Sequence, residues 1–311
     1  MLQKWIALAA ASLLLAITAC INFESQSVSF RHLPDKDTLL IFQQYNGITG
    51  SKAEGISDEE ILQLDSVVNR ARTFFFSNWI LEYDRDEAIK RMEALGKPAD
   101  PDDRVADPAL RERLRAFNKL LVDNITIHNG PFFLDPQGKL CAIQKVTVQN
   151  LSKILAAANR SIRDAVLVEL NAEGFDSLSG ESKHLLRQFS AGDQPFIQFE
   201  GNRLTFRWPM DPKDVVGLLI RSNTKEGEEE KFWFPNFAKG GLEFAYVKDQ
   251  AIFSLGSKDA PFTHLLAKSL GETKYRPNVV AHVSEKYKIQ AGLEPDKMRD
   301  AFFGLAKPAK P

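Results

Sequence analysis

Apolar and polar side chains alternate over much of this chain, and the alternation predicts strands joined in pairs by short turns. Val28–Leu33 and Thr38–Tyr45 are two β-rich runs, and the proline- and aspartate-containing segment between them is typical of a hairpin turn. A second pair, Phe196–Glu200 and Arg203–Trp208, alternates cleanly on either side of Gly201-Asn202. We also expect strands at residues 73–83, 124–128, 131–135, 139–148, 232–237, 242–247, 251–255 and near 279–283.

Helical periodicity follows several capping signals. Ser57 precedes Glu60 by three residues, which is the spacing of a capping box, and Asp84 with Glu87 gives a second start signal. Asn150 is expected to cap a long helix that ends before Gly174. We expect helices from residue 57 to about 71, at 84–96, 108–122, 151–173, 182–190, 211–220 and 264–270, and two short helices at the C-terminus.

The order of these elements predicts an α+β fold. Strands occur in hairpin pairs with helices interspersed, whereas a parallel doubly wound sheet needs single strands alternating with helices. The expected sheet is therefore antiparallel and built from hairpins. A domain boundary near Asn150 and a single compact unit both remain open, since no flexible linker marks the boundary.

The first twenty residues have a different pattern. Lys4 supplies a positive charge, Trp5–Ile17 is an apolar run of thirteen residues, and Ile17-Thr18-Ala19 leads directly into Cys20. A helix needs about 20 apolar residues to span a bilayer, so this run is too short for that role but suits a secretory signal.

This segment resembles the signal peptide of bacterial lipoproteins, in which an aliphatic residue and two small residues precede an invariant cysteine. The resemblance implies cleavage before Cys20 and attachment of lipid to its thiol and its amine, which would anchor the chain stably. An ordinary secretory signal remains open, because Ala16, Thr18 and Ala19 are also small. The resemblance covers residues 1–20 only.

The implied organisation is a signal peptide at 1–19, a tether at 20–27, a globular α+β region at 28–306 and a frayed tail at 307–311. The implied location is the bacterial cell envelope, with the membrane bound through lipid on Cys20. Ile21 is not the aspartate associated with inner-membrane retention in many such lipoproteins, which favours the outer membrane, facing the periplasm.

Charge and composition narrow the possible partners. Loss of residues 1–19 would remove one charge, Lys4, and change the formal net charge from −1 to −2. This balance argues against nucleic acid as a partner, which would call for a clustered basic face. Cys141 would then be the only thiol left beside Cys20; it lies in an alternating run, which indicates a buried core residue.

Familiar catalytic and cofactor motifs are missing from the sequence. It contains neither a standard phosphate-binding loop nor the GxSxG or HExxH patterns. The five histidines are isolated from one another and from cysteines, and the acidic run at 100–107 lacks the glycine and final glutamate of a calcium loop. We therefore expect no metal and no cofactor.

One carboxylate pair is a catalytic candidate. On a strand ending near Tyr83, Glu82 and Asp84 would share one face and could serve as acid and base, with Trp79 stacking on a sugar. The favoured interpretation is that Asp84 caps the following helix and Trp79 belongs to the core. Asn78 and Asp86 flank this candidate group, and a separate trio, His128-Asn129-Gly130, is expected to be a turn.

These observations favour a non-catalytic lipoprotein domain that binds an envelope protein or a cell-wall component. The first alternative is an envelope glycan hydrolase that uses Glu82 and Asp84. The second is a carrier of apolar ligands, suggested by the 22 phenylalanines.

Overall fold

The computed structural model shows an α+β fold in which mainly antiparallel sheets are interspersed with helices, as the sequence pattern predicts. The structure describes residues 21–50, 56–75, 81–98, 107–171, 175, 178–214, 236–237, 242–268 and 275–305. Cys20 and the signal-like segment lie outside the described residues, as does the tail at 307–311.

The elements follow one another as hairpins separated by helices. In chain order they are β1 (Asn22–Leu33), β2 (Thr38–Thr49), α1 (Asp58–Asn69), β3 (Arg72–Phe75), β4 (Leu81–Asp84), α2 (Arg85–Leu95), α3 (Pro108–Asn124), β5 (Ile125–Leu134), β6 (Leu140–Gln149), α4 (Leu151–Asn171), α5 (Gly180–Ala191), β7 (Ile197–Glu200), β8 (Arg203–Pro209), β9 (Asn236–Phe237), β10 (Leu242–Val247), β11 (Gln250–Leu255), β12 (Thr263–Lys268), α6 (Asn278–Lys286), β13 (Ile289–Gln290) and α7 (Pro295–Phe303).

Three sheets are formed by the described strands. The largest has the order β13-β5-β6-β2-β1-β12-β9, the second has the order β10-β11-β8-β7, and β3 pairs with β4 alone. All their pairings are antiparallel except that of β13 with β5. The seven-stranded sheet therefore combines four strands from the first half of the chain (β1, β2, β5 and β6) with three strands from its last third (β9, β12 and β13).

The strand β1 begins at Asn22, so the expected tether at 20–27 is wrong. Ile21 and Phe23 are 6% and 5% exposed and pack in the core. The alternation that would show them as inward-facing is broken opposite Gly47, whose backbone has φ +64° and whose Cβ would meet the Glu24 side chain at 2.7 Å. A polar-looking segment is thus a central strand.

Two C-terminal elements also differ from expectation. Residues 264–270 were expected to be helical, but Leu265 and Ala267 are buried and alternate with exposed neighbours, which is the period of strand β12. Residues 279–283 were expected to form a strand, but Val279 and Val283 are buried four residues apart on helix α6. The strand expected at 279–283 is wrong because tertiary packing outweighs the weak strand preference of the β-branched valines.

The seven-stranded sheet has two different faces. The face that packs against α1, α3, α4 and α6 is called the inner face, and the face that packs against α7 is called the outer face. On the inner face, one apolar cluster includes Val28, Ile41 and Val146, and a second includes Tyr45, Leu140 and Val283. On the outer face, Phe303 of α7 packs with Phe42 and Ile143.

Asn150 precedes helix α4, and its carbonyl accepts the hydrogen bond of the Ile154 N–H at 3.1 Å, but the side chain that caps the helix comes from a distant turn. The Asp37 carboxylate accepts hydrogen bonds from the Ser152 backbone N–H at 2.8 Å and the Ser152 hydroxyl at 2.7 Å. These bonds lower the pKa of Asp37. Asn150 instead donates its side-chain amide to Asn124 at 2.6 Å. Val146 and Ile154, on either side of the possible boundary at Asn150, belong to one apolar cluster.

Among the residues that the structure describes, none of the helices combines the length and apolar character needed to cross a membrane.

Phe23→Ala should lower the free energy of unfolding by about 3 to 5 kcal/mol, the usual cost of removing a buried phenylalanine ring. The ring is 5% exposed and meets Tyr45 edge-on at 5.3 Å. Urea denaturation measures the change. The matched control is Ser27→Ala on the same strand, where the side chain is partly exposed and a change within about 0.5 kcal/mol is expected. Equal stability of Phe23→Ala and the parent would mean that this segment is a tether after all.

Candidate functional site

The two carboxylates singled out in the sequence lie side by side against one arginine. Arg72 on β3 pairs across the hairpin with Asp84 on β4, and Glu82 lies two residues earlier on the same strand. The Arg72 Nε donates to Glu82 and lies 3.7 Å from Asp84 Oδ2. The side chains of Glu82 and Asp84 are 18% and 9% exposed. The single strand expected at 73–83 is wrong, because β3 and β4 are two strands that pair antiparallel. Glu82 and Asp84 nevertheless both contact the side chain of Arg72.

Asp84 also caps helix α2, as the favoured interpretation predicts. Its Oδ1 accepts from the backbone N–H groups of Asp86 at 2.9 Å and Glu87 at 3.2 Å. Asn78 and Trp79 lie outside the described residues. The contacts of the carboxylate pair are therefore those of a hairpin and a helix cap, and the hydrolase hypothesis draws no support from them.

The trio His128-Asn129-Gly130 lies within β5 and is not the turn that was expected, so the two strands expected at 124–128 and 131–135 are one. His128 and Asn129 pair with β6, and the register shifts just after them, between Asn129 and Phe132. The Asn129 amide donates to the carbonyls of Val67 at 3.0 Å and Val68 at 2.6 Å, which satisfies acceptors at the end of α1. A Cβ at Gly130 would lie 2.8 Å from the Ile143 carbonyl oxygen, so this position favours glycine. The trio joins α1 to the sheet.

Cys141 is a core residue, as the sequence predicts. It has no exposed surface, and burial raises the pKa of its thiol to about 11. Such a thiol stays protonated at neutral pH and is a poor nucleophile.

A buried polar cluster that the sequence pattern did not predict lies at the centre of the inner face. Gln26, Gln43 and Gln144 come from the neighbouring strands β1, β2 and β6, and each is at most 2% exposed. Gln26 donates to Gln43 Oε1 at 2.5 Å. The Tyr45 hydroxyl lies 3.3 Å from Gln43 Oε1 and 3.2 Å from Gln144 Oε1. We call these four side chains the glutamine network.

The glutamine network holds strand β3 on the sheet. Gln26 donates to the Phe74 carbonyl at 2.7 Å, and Gln144 donates to the Arg72 carbonyl at 2.8 Å. Gln43 donates to the Thr73 hydroxyl at 2.6 Å. Because β3 has no strand partner in the large sheet, these side chains replace a backbone ladder. Glutamine at three inward-facing strand positions was the available signal for this site.

A small cavity lies beside the network, between α1 and the inner face. Its volume is about 60 Å³, and Ile21, Leu64, Val68 and Phe132 are among the side chains that line it. Pockets for small ligands usually enclose about 300 to 1,000 Å³. The cavity is too small for a lipid-sized ligand, so it does not support the carrier hypothesis.

The outer face carries a polar surface beside the area that α7 covers. Register places Ser25 between Asn46 and Lys268, and Ser27 between Gln44 and Leu266. Gln44 donates to Asn46 Oδ1 at 2.6 Å, and Asn46 donates to the Ser25 hydroxyl at 3.3 Å. We call these partly or fully exposed side chains the polar strip: Ser25, Ser27, Gln44, Asn46, Leu266 and Lys268.

A serine–histidine pair adjoins the polar strip. The Ser29 hydroxyl lies 2.8 Å from His264 Nδ1, and the two residues are cross-strand partners. Burial and the nearby positive charge of Arg299 lower the pKa of His264, so its ring is neutral at pH 7. Ser29 is only 2% exposed, which keeps its hydroxyl from reaching a substrate. The contact with Ser29 therefore fixes the orientation of the His264 imidazole.

Within the described ranges, no group of three or more His, Cys, Asp or Glu side chains is arranged to hold a metal ion.

Comparison with known proteins gives no match to any protein family, curated protein or solved structure.

Tyr45→Phe should lower the free energy of unfolding by about 1 to 3 kcal/mol, because it leaves buried partners of the hydroxyl unsatisfied. Tyr246→Phe is the matched control: its hydroxyl donates to the Met210 carbonyl at 3.0 Å from a partly exposed side chain, where water can substitute. Urea denaturation at pH 7 compares the two. Equal losses would show that the Tyr45 hydroxyl in the glutamine network contributes no more to the free energy of unfolding than a partly exposed hydroxyl does.

Tyr45 should also make the folding stability of the protein depend on pH in the alkaline range. Burial raises the pKa of Tyr45 from 10.0 to about 12, so the folded state holds a proton that the unfolded state releases. The associated stability is complete below pH 10 and is lost as the pH rises toward 12. Tyr83, also raised to about 12, contributes a loss of the same sign. Tyr45→Phe should therefore reduce this alkaline loss without abolishing it, and an unchanged pH slope would contradict the assignment.

Proposed function

We propose that this protein is a bacterial envelope lipoprotein, anchored by lipid on Cys20, whose globular part is a non-catalytic binding or interaction domain. The observation that carries the proposal is the apolar segment ending in Ile17-Thr18-Ala19-Cys20, followed immediately by the first strand of the fold at Asn22. Outer-membrane placement facing the periplasm is part of the proposal, on the ground that Ile21 follows the cysteine.

The state of the reactive side chains supports a binding role over catalysis. Glu82 and Asp84 are engaged by Arg72 and by a helix terminus. Cys141 is protonated and enclosed, and Ser29 is covered. Each of these four groups is thus held in a structural contact.

The polar strip supplies a surface for recognition. Hydroxyls, carboxamides and one ammonium group provide both donors and acceptors on the rigid strands β1, β2 and β12. Such a surface suits a polar, extended partner, either a protein segment or a cell-wall component. We propose the polar strip as the binding face.

Cys20→Ser should move the protein from the membrane fraction to the soluble fraction without unfolding it, because it removes the thiol that carries lipid. The measurement is fractionation in high salt together with incorporation of labelled fatty acid. Cys141→Ser is the matched control and should stay lipidated and membrane-bound. If the Cys20→Ser protein remains in the membrane at high salt, the lipid-anchor proposal is wrong.

Replacing Ser27 and Gln44 together by arginine should abolish binding to the partner, since two long cations would cover the polar strip. Co-sedimentation with purified cell-wall sacculi tests a cell-wall partner, and crosslinking in membranes tests a protein partner. Thr126→Arg, an exposed position on β5 of the same sheet, is the control and should bind normally. Failure of the parent protein to bind sacculi or to crosslink stoichiometrically would count against a binding domain.

A further inference from the structure

No spacer lies between Cys20, the proposed lipid attachment point, and the folded protein. Ile21 is 6% exposed, and its backbone N–H donates to Gln63 Oε1 on α1 at 2.6 Å. Consecutive Cα atoms lie about 3.8 Å apart, so the Cα of Cys20 is one such step from a buried residue. Lipid chains on Cys20 would hold this part of the fold at the membrane surface.

The strand register shows which strand ends lie beside Ile21. Asn22 pairs with Thr49, so the start of β1 lies beside the end of β2. The Lys139 ammonium lies 2.8 Å from Glu24 Oε1, so the turn between β5 and β6 lies at the same level. We call this end the anchor edge: Ile21, Thr49, residues 134–139 and the first turns of α1.

The anchor edge exposes two large apolar side chains. Leu62 is 68% exposed and directly precedes Gln63, which binds the Ile21 backbone. Leu134 is 43% exposed and pairs with Leu140 where the β5–β6 hairpin closes. If the anchor edge rests on a bilayer, these two leucines contact the apolar part of the lipid interface.

Charge alone does not select this orientation. Lys139 and the exposed Lys268 lie near the anchor edge, but the first turn of α1 adds the exposed acids Asp58 and Glu59. Opposite charges largely offset one another there. The short covalent connection therefore sets the orientation, and the exposed leucines add apolar contact.

We infer that the domain rests directly on a lipid bilayer in one orientation, with the anchor edge against the headgroups and the β1–β2 turn pointing away from the membrane. This inference rests on the proposed lipidation of Cys20. It also places the partner: Ser25, at the near end of the polar strip, is five residues from Cys20, or about 17 Å along an extended strand. The polar strip would thus meet a partner close to the membrane surface.

Site-specific fluorescence in proteoliposomes tests the orientation. The full lipidated protein carries an environment-sensitive probe on Leu62→Cys or Leu134→Cys, and on Lys36→Cys in the exposed turn at the opposite end of β1. Cys141 is enclosed and protonated, so it does not compete for the label. Spin-labelled phospholipids, with the quencher near the headgroup, should cause a loss of fluorescence at positions 62 and 134 and none at position 36.

A second variant isolates the role of the missing spacer. A flexible glycine- and serine-rich insertion between Cys20 and Ile21 should retain the lipid but reduce quenching at position 62 to the level at position 36. Equal quenching at 62 and 36 in the parent, or full quenching at 62 despite the insertion, would overturn the inference. Thermal unfolding confirms that each labelled variant is folded.

Failure of the inference is distinguishable from failure of the anchor proposal. If Cys20 incorporates no labelled fatty acid and the parent protein does not sediment with vesicles, the anchor proposal is wrong and the inference falls with it. If the protein is lipidated and sediments but shows no quenching difference between the two ends, only the inference is wrong.

Discussion

The requirement that buried polar groups be hydrogen-bonded shapes the centre of this protein more than any single apolar contact. Three glutamines and a tyrosine lie enclosed on adjacent strands, where an unpaired amide is costly, and of their side-chain polar atoms Gln26 Oε1 alone has no hydrogen-bond partner. Gln26 and Gln144 donate to the backbone of β3, which has no ladder to the large sheet, and Gln43 donates to the hydroxyl of Thr73 on the same strand. The hairpin, and with it the arginine and the two carboxylates that looked catalytic, is positioned by this network.

The same network divides the inner face into two apolar regions. One region packs α3 and α4 against the ends of β1 and β2 near their connecting turn, and the other packs α1 and α6 against the opposite ends. Strands β1 and β2 pass through both regions, so neither is completed without them. This arrangement explains why β1 must begin as early as Asn22: Phe23 belongs to the second region.

Local signals predicted the elements that depend on local contacts. The capping box at Ser57 and Glu60 and the cap at Asp84 are both present, and so is the hairpin at Gly201-Asn202, because each is determined within a few residues. Long-range contacts decide the rest. β1 looked polar because its alternation breaks opposite Gly47, and residues 264–268 are strand because they pair with β1. The glutamines could have been noticed at inward positions, but their common target, β3, is known only from the fold.

The cap of α4 has a consequence for how the chain folds. Asp37, in the left-handed conformation after the β1–β2 turn, supplies the acceptors for a helix that begins 114 residues later at Leu151. The helix terminus is therefore complete only once the N-terminal hairpin has formed. Hairpins close within microseconds because their contacts are local, whereas this bond closes a long loop. Formation of α4 is therefore cooperative with formation of the β1–β2 hairpin. The parts of the chain before and after Asn150 gain their stability together.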